Sequence, residues 1–380
     1  MRYQPNPHVT CTGCPMADAC GAGCGEAHAC GGGCANPRTR GLSRRDFIKM
    51  ALAAGLLAGC SPLGQPTSQI AETQPPSPSP SPSGWSVLHE ITTQKPARVA
   101  AFHDDTFGLL FLYPDVEFNT NDIRVTDDGG QTWSETTAED DHCRFGVDIV
   151  ERGIIWNCGR GTPNGRQPGA EWSSGVSRSI DEGRSWENVS PIEGVGPVHP
   201  HGVNKGAAWG CHPSFLDDQT GWVASNYTFV ATTSDGGQSW SVLPLPETIP
   251  NIAAIHFLTP DEGYVLDYVG NLHVTHDAGQ NWASQELIRA EGMTMLQSDF
   301  IANTAAMRFV DENNGLVATT MLGGGRFECI VMRTSDGGRT WQKETLPIGL
   351  ALSYDINRDC TLVTAIDYLE VERITVLKYA

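Results

Sequence analysis

Three groups of residues have types and spacings that could do chemistry. The first is a run of six thiols, Cys11, Cys14, Cys20, Cys24, Cys30 and Cys34, in three loose copies of a ten-residue unit. The unit is clearest in Ala19-Cys20-Gly21-Ala22-Gly23-Cys24 against Ala29-Cys30-Gly31-Gly32-Gly33-Cys34. Thiolates this dense, on the cytoplasmic side of an export signal, suit zinc or an iron–sulfur cluster better than disulfides. A flexible tail and a start codon placed too far upstream are the alternatives. The second group is His142-Cys143 and Cys211-His212, with His199 and His201 between them, donors that suit zinc or copper. A Cys143–Cys158 disulfide or plain core thiols would explain the same cysteines. With five cysteines after Cys60, at 143, 158, 211, 329 and 360, at least one is free or intermolecular. The third group is Arg98, Arg144 and Arg308, which could grip a carboxylate bidentately if brought together, or pair separately with surface acids. Outside these two metal readings, the chain is expected to require no cofactor, the N-terminal thiols being the place for zinc or an iron–sulfur cluster.

The segment ahead of the folded part reads as routing. Arg44 and Arg45 precede the short apolar run from Met50 to Ala58, which is too short to span a membrane. The segment resembles a twin-arginine signal, and Leu57-Ala58-Gly59-Cys60 resembles a bacterial lipobox. Those resemblances imply cleavage before Cys60, lipidation of its sulfur, and a protein held on the extracytoplasmic face of the cell membrane. From Ser61 to Ser83 the chain is rich in Pro, Ser and Gln, an extended spacer that cannot form a core. The expected organisation is a Cys-rich tail over 1–41, the signal and lipobox over 42–60, the linker over 61–84, and one folded array over 85–380.

Composition narrows the rest. A formal net charge of −19 argues against nucleic acid as partner. With 39% hydrophobic residues a sizeable core can be buried, and 42 Gly, 24 Pro and 10 Trp point to a turn-rich, all-β chain.

One octamer recurs five times, with the pattern hydroxyl, x, Asp, x, Gly, x, Ser/Thr/Asn, Trp. Its Asp and Trp positions are Asp128 and Trp133, Asp181 and Trp186, Asp235 and Trp240, Asp277 and Trp282, and Asp336 and Trp341. This is hairpin chemistry: the carboxylate accepts backbone N–H groups of the loop, Gly supplies positive φ, and Trp returns into the sheet. A second motif starts at Phe215, Phe257 and Phe309 and ends in Gly221-Trp222-Val223, Gly263-Tyr264-Val265 and Gly315-Leu316-Val317, with weaker versions from Phe102, Val147 and Tyr354. Each unit therefore reads strand A, turn, strand B, loop, strand C, octamer, strand D, which is a propeller blade.

Six A strands against five octamers leave the last blade without a D strand. Trp85-Ser86-Val87-Leu88 repeats the text Trp240-Ser241-Val242-Leu243, so residues 85 to 90 are expected to close the sixth blade beside a C strand near Arg373 to Tyr379. The expected fold is an all-β propeller of six four-stranded blades, with seven as the alternative. A–B and C–D turns then share one end, where the octamers are structural. The long connections, Pro114 to Asn121, Gly159 to Ser174, Gly323 to Arg326, Pro191 to Gly210 and Ile288 to Asn303, share the other. Insertions limited to one face mark a binding face. Trp172 and Trp209 lie in such insertions, and the three arginines stand near A-strand starts, where they could form a basic mouth.

The octamers resemble Asp-boxes, the hairpin motif of sialidases and of related propellers. The Phe-x-Asp, Gly-Trp-Val and Thr-Asp-Gly-Gly-Gln-Thr-Trp texts together are similar to the photosystem II stability and assembly factors over most of residues 85 to 345. That second resemblance implies a non-enzymatic scaffold that binds protein or helps assemble a membrane complex. The sialidase resemblance would imply a glycosidase or glycan binder with three arginines, an acid/base Asp and a Tyr–Glu pair. At its first arginine this chain has Arg98-Val99-Ala100 in place of Arg-Ile-Pro or Arg-Leu-Pro, and the sequence nominates no Tyr–Glu pair, with Tyr354 and Glu328 left open for those roles.

Overall fold

The computed structural model describes residues 84–113, 121–138, 143–161, 173–189, 192, 211–225, 229–249, 251–288, 292–296 and 304–379. Side chains of residues 121, 137–138, 143–145, 160–161, 173–174, 211 and 225 fall outside this description. So do the expectations placed on residues 1–83 and on His142, Trp172, His199, His201 and Trp209.

Every described element is a strand, and six antiparallel meanders of four strands, A to D, stand in a ring. Blade 1 runs Ala97–Phe102, Gly108–Leu112, Asn121–Thr126 and Ser134–Ala138; blade 2 runs Cys143–Glu151, Ile154–Gly161, Ser173–Ser179 and Glu187–Asn188. Blade 3 runs Cys211–Phe215, Gly221–Ser225, Val230–Thr233 and Ser241–Leu243; blade 4 runs Ile252–Phe257, Gly263–Asp267, Asn271–Thr275 and Ala283–Glu286. Blade 5 runs Ala305–Phe309, Gly315–Gly323, Arg326–Thr334 and Gln342–Thr345, with a short extra strand, Thr294–Met295, on Met321 and Leu322. Blade 6 takes A to C from Ala351–Ile356, Leu362–Asp367 and Arg373–Tyr379, and its D strand is Trp85–Thr92 from the other end of the array. The A strands touch in cyclic order around the ring, blade 6 against blade 1 included, so the propeller has six blades and no seventh.

The Phe–Gly spacing has a steric cause. Phe102, Phe215, Phe257 and Phe309 lie opposite Gly108, Gly221, Gly263 and Gly315 in the A–B ladders. Each ring covers its glycine so closely that an added Cβ at Gly221 would stand 2.0 Å from the Phe215 ring. In blades 2 and 6 the same register holds Ile149 opposite Ile155 and Ile356 opposite Val363. Without Phe, no glycine is needed. The weak motifs thus begin two residues later than their apolar starts at Val147 and Tyr354 suggest.

The core lies between blades. The residue after each B-strand position stacks on the next blade's phenylalanine: Trp156 on Phe215 at 4.0 Å, Trp222 on Phe257 at 4.2 Å, Tyr264 on Phe309 at 3.8 Å. All six of these rings are at most 3% exposed, and burying each contributes about 1.5–3 kcal/mol. At the closure, Trp85 is 3% exposed and meets Tyr379 edge-on at 5.3 Å.

Candidate binding face and central channel

Antiparallel connectivity puts the A–B turns and the octamers at one end of the blades and the B–C and D–A connections at the other. At the first end all five octamers close on themselves. In the blade 3 copy, Asp235 accepts the Thr233 hydroxyl at 2.8 Å, the Ser239 N–H at 2.9 Å and the Ser239 hydroxyl at 2.6 Å. The Thr233 oxygen in turn accepts the Gly237 N–H at 2.9 Å, and Gly237 has φ 81°. Asp128, Asp181, Asp277 and Asp336 repeat this pattern. Trp133, Trp186, Trp282 and Trp341 each donate Nε1–H to a carbonyl of their own turn. The hydroxyl and N–H of Thr132 pull the Asp128 carboxyl down to about 2, and those of Ser239 do the same at Asp235. Carboxylates held this way are turn locks, fully engaged in their own loops.

The opposite end carries apolar tips. In blade 4, Asp267 accepts the N–H groups of Gly270 and Asn271, each at 2.8 Å, and this turn holds Val269 outward, 70% exposed. In blade 6, Asp367 accepts the N–H groups of Leu369 and Glu370, each at 2.8 Å, and Leu369 is 55% exposed. Between them, strands B and C of blade 5 are nine residues each, against five for B and C of blade 4. At about 3.3 Å per residue the hairpin reaches roughly 13 Å further. Gly324 and Gly325, with φ 56° and 74°, make its two-residue turn, and Phe327 beside it is 50% exposed. Three consecutive blades therefore present Val269, Phe327 and Leu369 at one end. Sequence reasoning missed these residues, although an Asp two positions before an apolar residue, just after a B strand, marks two of them.

The channel is closed at the octamer end. One residue before the Phe/Ile register, the A strands carry Ala101, Asp148, Ser214, His256, Arg308 and Asp355. Asp148 accepts the Phe215 N–H at 2.7 Å, Ser214 the Phe257 N–H at 2.9 Å, and His256 Nε2 lies 3.0 Å from the Phe309 carbonyl, so each of these ties its strand to the next. Arg308 instead crosses the ring and donates from Nη2 to Asp148 at 2.9 Å. From the blade 6 A–B turn, Arg358 donates to the carbonyls of Val150, at 2.8 Å, and of Phe215, at 3.2 Å, and forms the floor. Above it lies a funnel lined by Val147, His212, Ile255, Met307, Arg308 and Asp355, on the side where the A strands begin.

Burial sets the charges there. It works to raise the Asp148 carboxyl, yet Arg308, Arg358 and the Phe215 N–H together hold it below the usual range. Burial pushes Asp355 up to about 7, against the pull of Arg308 and with the repulsion of Asp148. It drives His256 down to about 3, helped by Arg308, so this imidazole is neutral.

Two of the three arginines are engaged separately. Arg308 is 8% exposed and sits at the fourth position of its five-residue strand, toward the closed end, paired with Asp148. The Arg98 guanidinium stacks on the Tyr113 ring at 4.1 Å. Arg144 lies on strand A of blade 2 opposite Gly159, its side chain outside the described residues. Of the candidate metal ligands, only the His212 side chain is described. Cys143 and Cys211 open their A strands with side chains outside the description, and His212 is buried. Among the described residues no cluster of three or more His, Cys, Asp or Glu is arranged for a metal ion. Cys158 is disulfide-bonded, its partner lying outside the described side chains, and Cys329 and Cys360 are free and buried. The Tyr354 hydroxyl is buried 2.6 Å from that of Thr320, while Glu328 pairs with Lys343 at 2.6 Å, so neither is poised for glycoside chemistry. Among the described residues no helix is long and apolar enough to cross a membrane.

The BNR/Asp-box repeat family matches residues 124–135. No curated protein sequence matches the chain. Among solved structures the chain is similar to YCF48 bound to D1 peptide, at 15% identity over 78% of this chain and 95% of that one, with a TM-score of 0.40. It is similar to YCF48 from Cyanidioschyzon merolae, at 14% identity over 78% and 98%, with a TM-score of 0.40. A further likeness is to the GH74 xyloglucanase from Xanthomonas campestris, at 16% identity over 79% of this chain and 53% of that one, again with a TM-score of 0.40. These likenesses carry no information about ligand or partner.

Proposed function

We propose that this chain is a protein-binding propeller, non-enzymatic, exported by the twin-arginine route and lipid-anchored at Cys60, which holds or helps assemble a membrane protein complex. The observation that carries the binding reading is the row of exposed apolar tips, Val269, Phe327 and Leu369, at the end of blades 4 to 6 away from the octamers. Exposed apolar side chains held on rigid turns bind protein surfaces at low entropic cost. The five octamer carboxylates, in contrast, are engaged within their own turns. The lipobox and proline-rich spacer support the membrane setting, and the motif likeness to assembly-factor propellers supports a membrane complex as partner.

The test is recovery of partners from detergent-solubilised membranes by the native chain, by a Val269→Ser/Phe327→Ser/Leu369→Ser variant, and by Ile180→Ser at the opposite end. Loss in the triple variant with retention in Ile180→Ser is expected. Equal recovery by all three, or hydrolysis of a fluorogenic sialoside by the native chain, would overturn the reading. Cys60→Ser should release the protein from membranes, and its retention after carbonate washing would remove the lipid-anchor part alone.

A further inference from the structure

We propose that Ser284 is a base-assisted nucleophile that accepts one acyl group from an activated ester or thioester. This acyl-acceptor site lies on the outer strands of blade 4 and rests on no part of the protein-binding reading.

Three neighbouring strands of blade 4 set Asp267, His273 and Ser284 in a row. Strand B ends in Asp267, strand C carries His273, and strand D carries Ser284 directly opposite His273. Leu272 and Val274 pack toward blade 5, so His273 points to the other face of the sheet. There His273 Nδ1 lies 2.7 Å from Ser284 Oγ, and Nε2 lies 3.1 Å from Asp267 Oδ2. Asp267 and His273 are 0% and 2% exposed, whereas Ser284 is exposed. A hydroxyl within hydrogen-bond reach of a base that a third group orients is the arrangement of an activated nucleophile.

The carboxylate fixes where the proton sits. Burial works to raise Asp267, yet His273 and the N–H and side chain of Asn271 hold it below the usual carboxylate range, so it is ionised and accepts only. In the neutral imidazole the proton is therefore on Nε2, and the Nδ1 lone pair faces the Ser284 hydroxyl. The ladder adds a donor. Gly270 accepts the Leu287 N–H, and bonded pairs alternate along strands C and D, so Ser284 falls at a non-bonded pair and its own N–H points out from the sheet edge. That N–H is placed to donate to a carbonyl oxygen as Oγ attacks.

Packing does not call for an imidazole at this place. The same pair of positions holds Ala231 and Val242 in blade 3, and Met332 and Lys343 in blade 5.

The step is an acyl transfer. Ser284 Oγ bonds to the carbonyl carbon while its proton passes to Nδ1. The bond to the leaving thiolate or alkoxide then breaks, and that group carries the proton away, leaving a neutral imidazole and an ester on Ser284. With His273 only 2% exposed, a hydrolytic water has little access to Nδ1 once the ester stands on Ser284. Transfer therefore stops at one equivalent, as suits a chain that is not an enzyme.

The experiment is reaction of the purified full chain with p-nitrophenyl acetate at pH 8, read by nitrophenolate release, intact mass and peptide mapping. Ser241 and Ser86, exposed on the D strands of blades 3 and 6, are internal controls. General-base assistance should acetylate Ser284 at least about a hundredfold faster than either. Ser284→Ala, at an exposed position, should fold and lose the one-equivalent burst. His273→Gln with native near-ultraviolet circular dichroism should acetylate Ser284 no faster than Ser241; if that variant unfolds, the Ser284 to Ser241 ratio in the native chain decides alone. Equal rates at Ser284 and Ser241, a burst that survives Ser284→Ala, a folded His273→Gln that keeps the native rate, or release continuing past one equivalent would each overturn the proposal.

Discussion

Replacing Asp355 by Asn tests the channel electrostatics through stability alone. The free carboxyl titrates at 3.8, and in the folded protein burial raises it to about 7. The folded state therefore holds the proton more tightly. This contribution is fully present below pH 3.8 and is lost as pH rises through 7. Three units at about 1.4 kcal/mol each bound the effect near 4 kcal/mol. One face of the carboxyl borders the funnel, so screening reduces the expected effect to about 2 kcal/mol. His256 opposes it: its free value of 6.5 falls to about 3, so its contribution is present above 6.5 and lost as pH falls through 3. The two largely cancel across pH 4 to 6.5, which makes the variant, and not the native curve, the informative readout. Urea unfolding from pH 4 to pH 8 should show Asp355→Asn gaining about 2 kcal/mol on the native chain between those limits. A difference that stays constant with pH would refute the reasoning.

Other substitutions test the scaffold. Thr233→Ala leaves the buried Gly237 N–H without its acceptor, and calorimetry should show a loss of about 1–3 kcal/mol. Gly263→Ala drives a methyl to 2.3 Å from the Phe257 ring and should cost about 1–3 kcal/mol by overpacking, measured by denaturant midpoint. Trp85→Ala removes the anchor of the closing strand, buried beside Tyr379, and should cost about 3–5 kcal/mol with early loss of hydrogen-exchange protection in blade 6.

Much of the ring is legible in the sequence because its blades repeat a local steric solution. The octamer encodes a self-bonded turn, and Phe followed six positions later by Gly encodes a covered ladder pair, so both survive without knowledge of the neighbours. Ile149 with Ile155 performs the same packing without the Phe–Gly text, which is why the blade 2 frame reads two residues off. Arg308 was misread for a different reason. Near the start of a strand and near its end look alike until the Phe309 register is fixed. Counting back one residue from the phenylalanines aligns Arg308 with Ala101, Ser214 and His256, whereas Asp148 and Asp355 join that ring only through the Ile149 and Ile356 register, which the structure supplies. The apolar tips depend on how far a turn stands clear of its neighbours, and only the extended blade 5 hairpin shows that.

The most direct measurement is photo-crosslinking in intact membranes from a benzophenone side chain at position 327, compared with one at position 180. These sites are exposed at opposite ends of the ring, Phe327 at 50% and Ile180 at 66%. The account predicts adducts to a membrane protein from position 327 that disappear in the Val269→Ser/Leu369→Ser background, and none from position 180. Adducts from position 180 alone, or in equal yield from both ends, would contradict it.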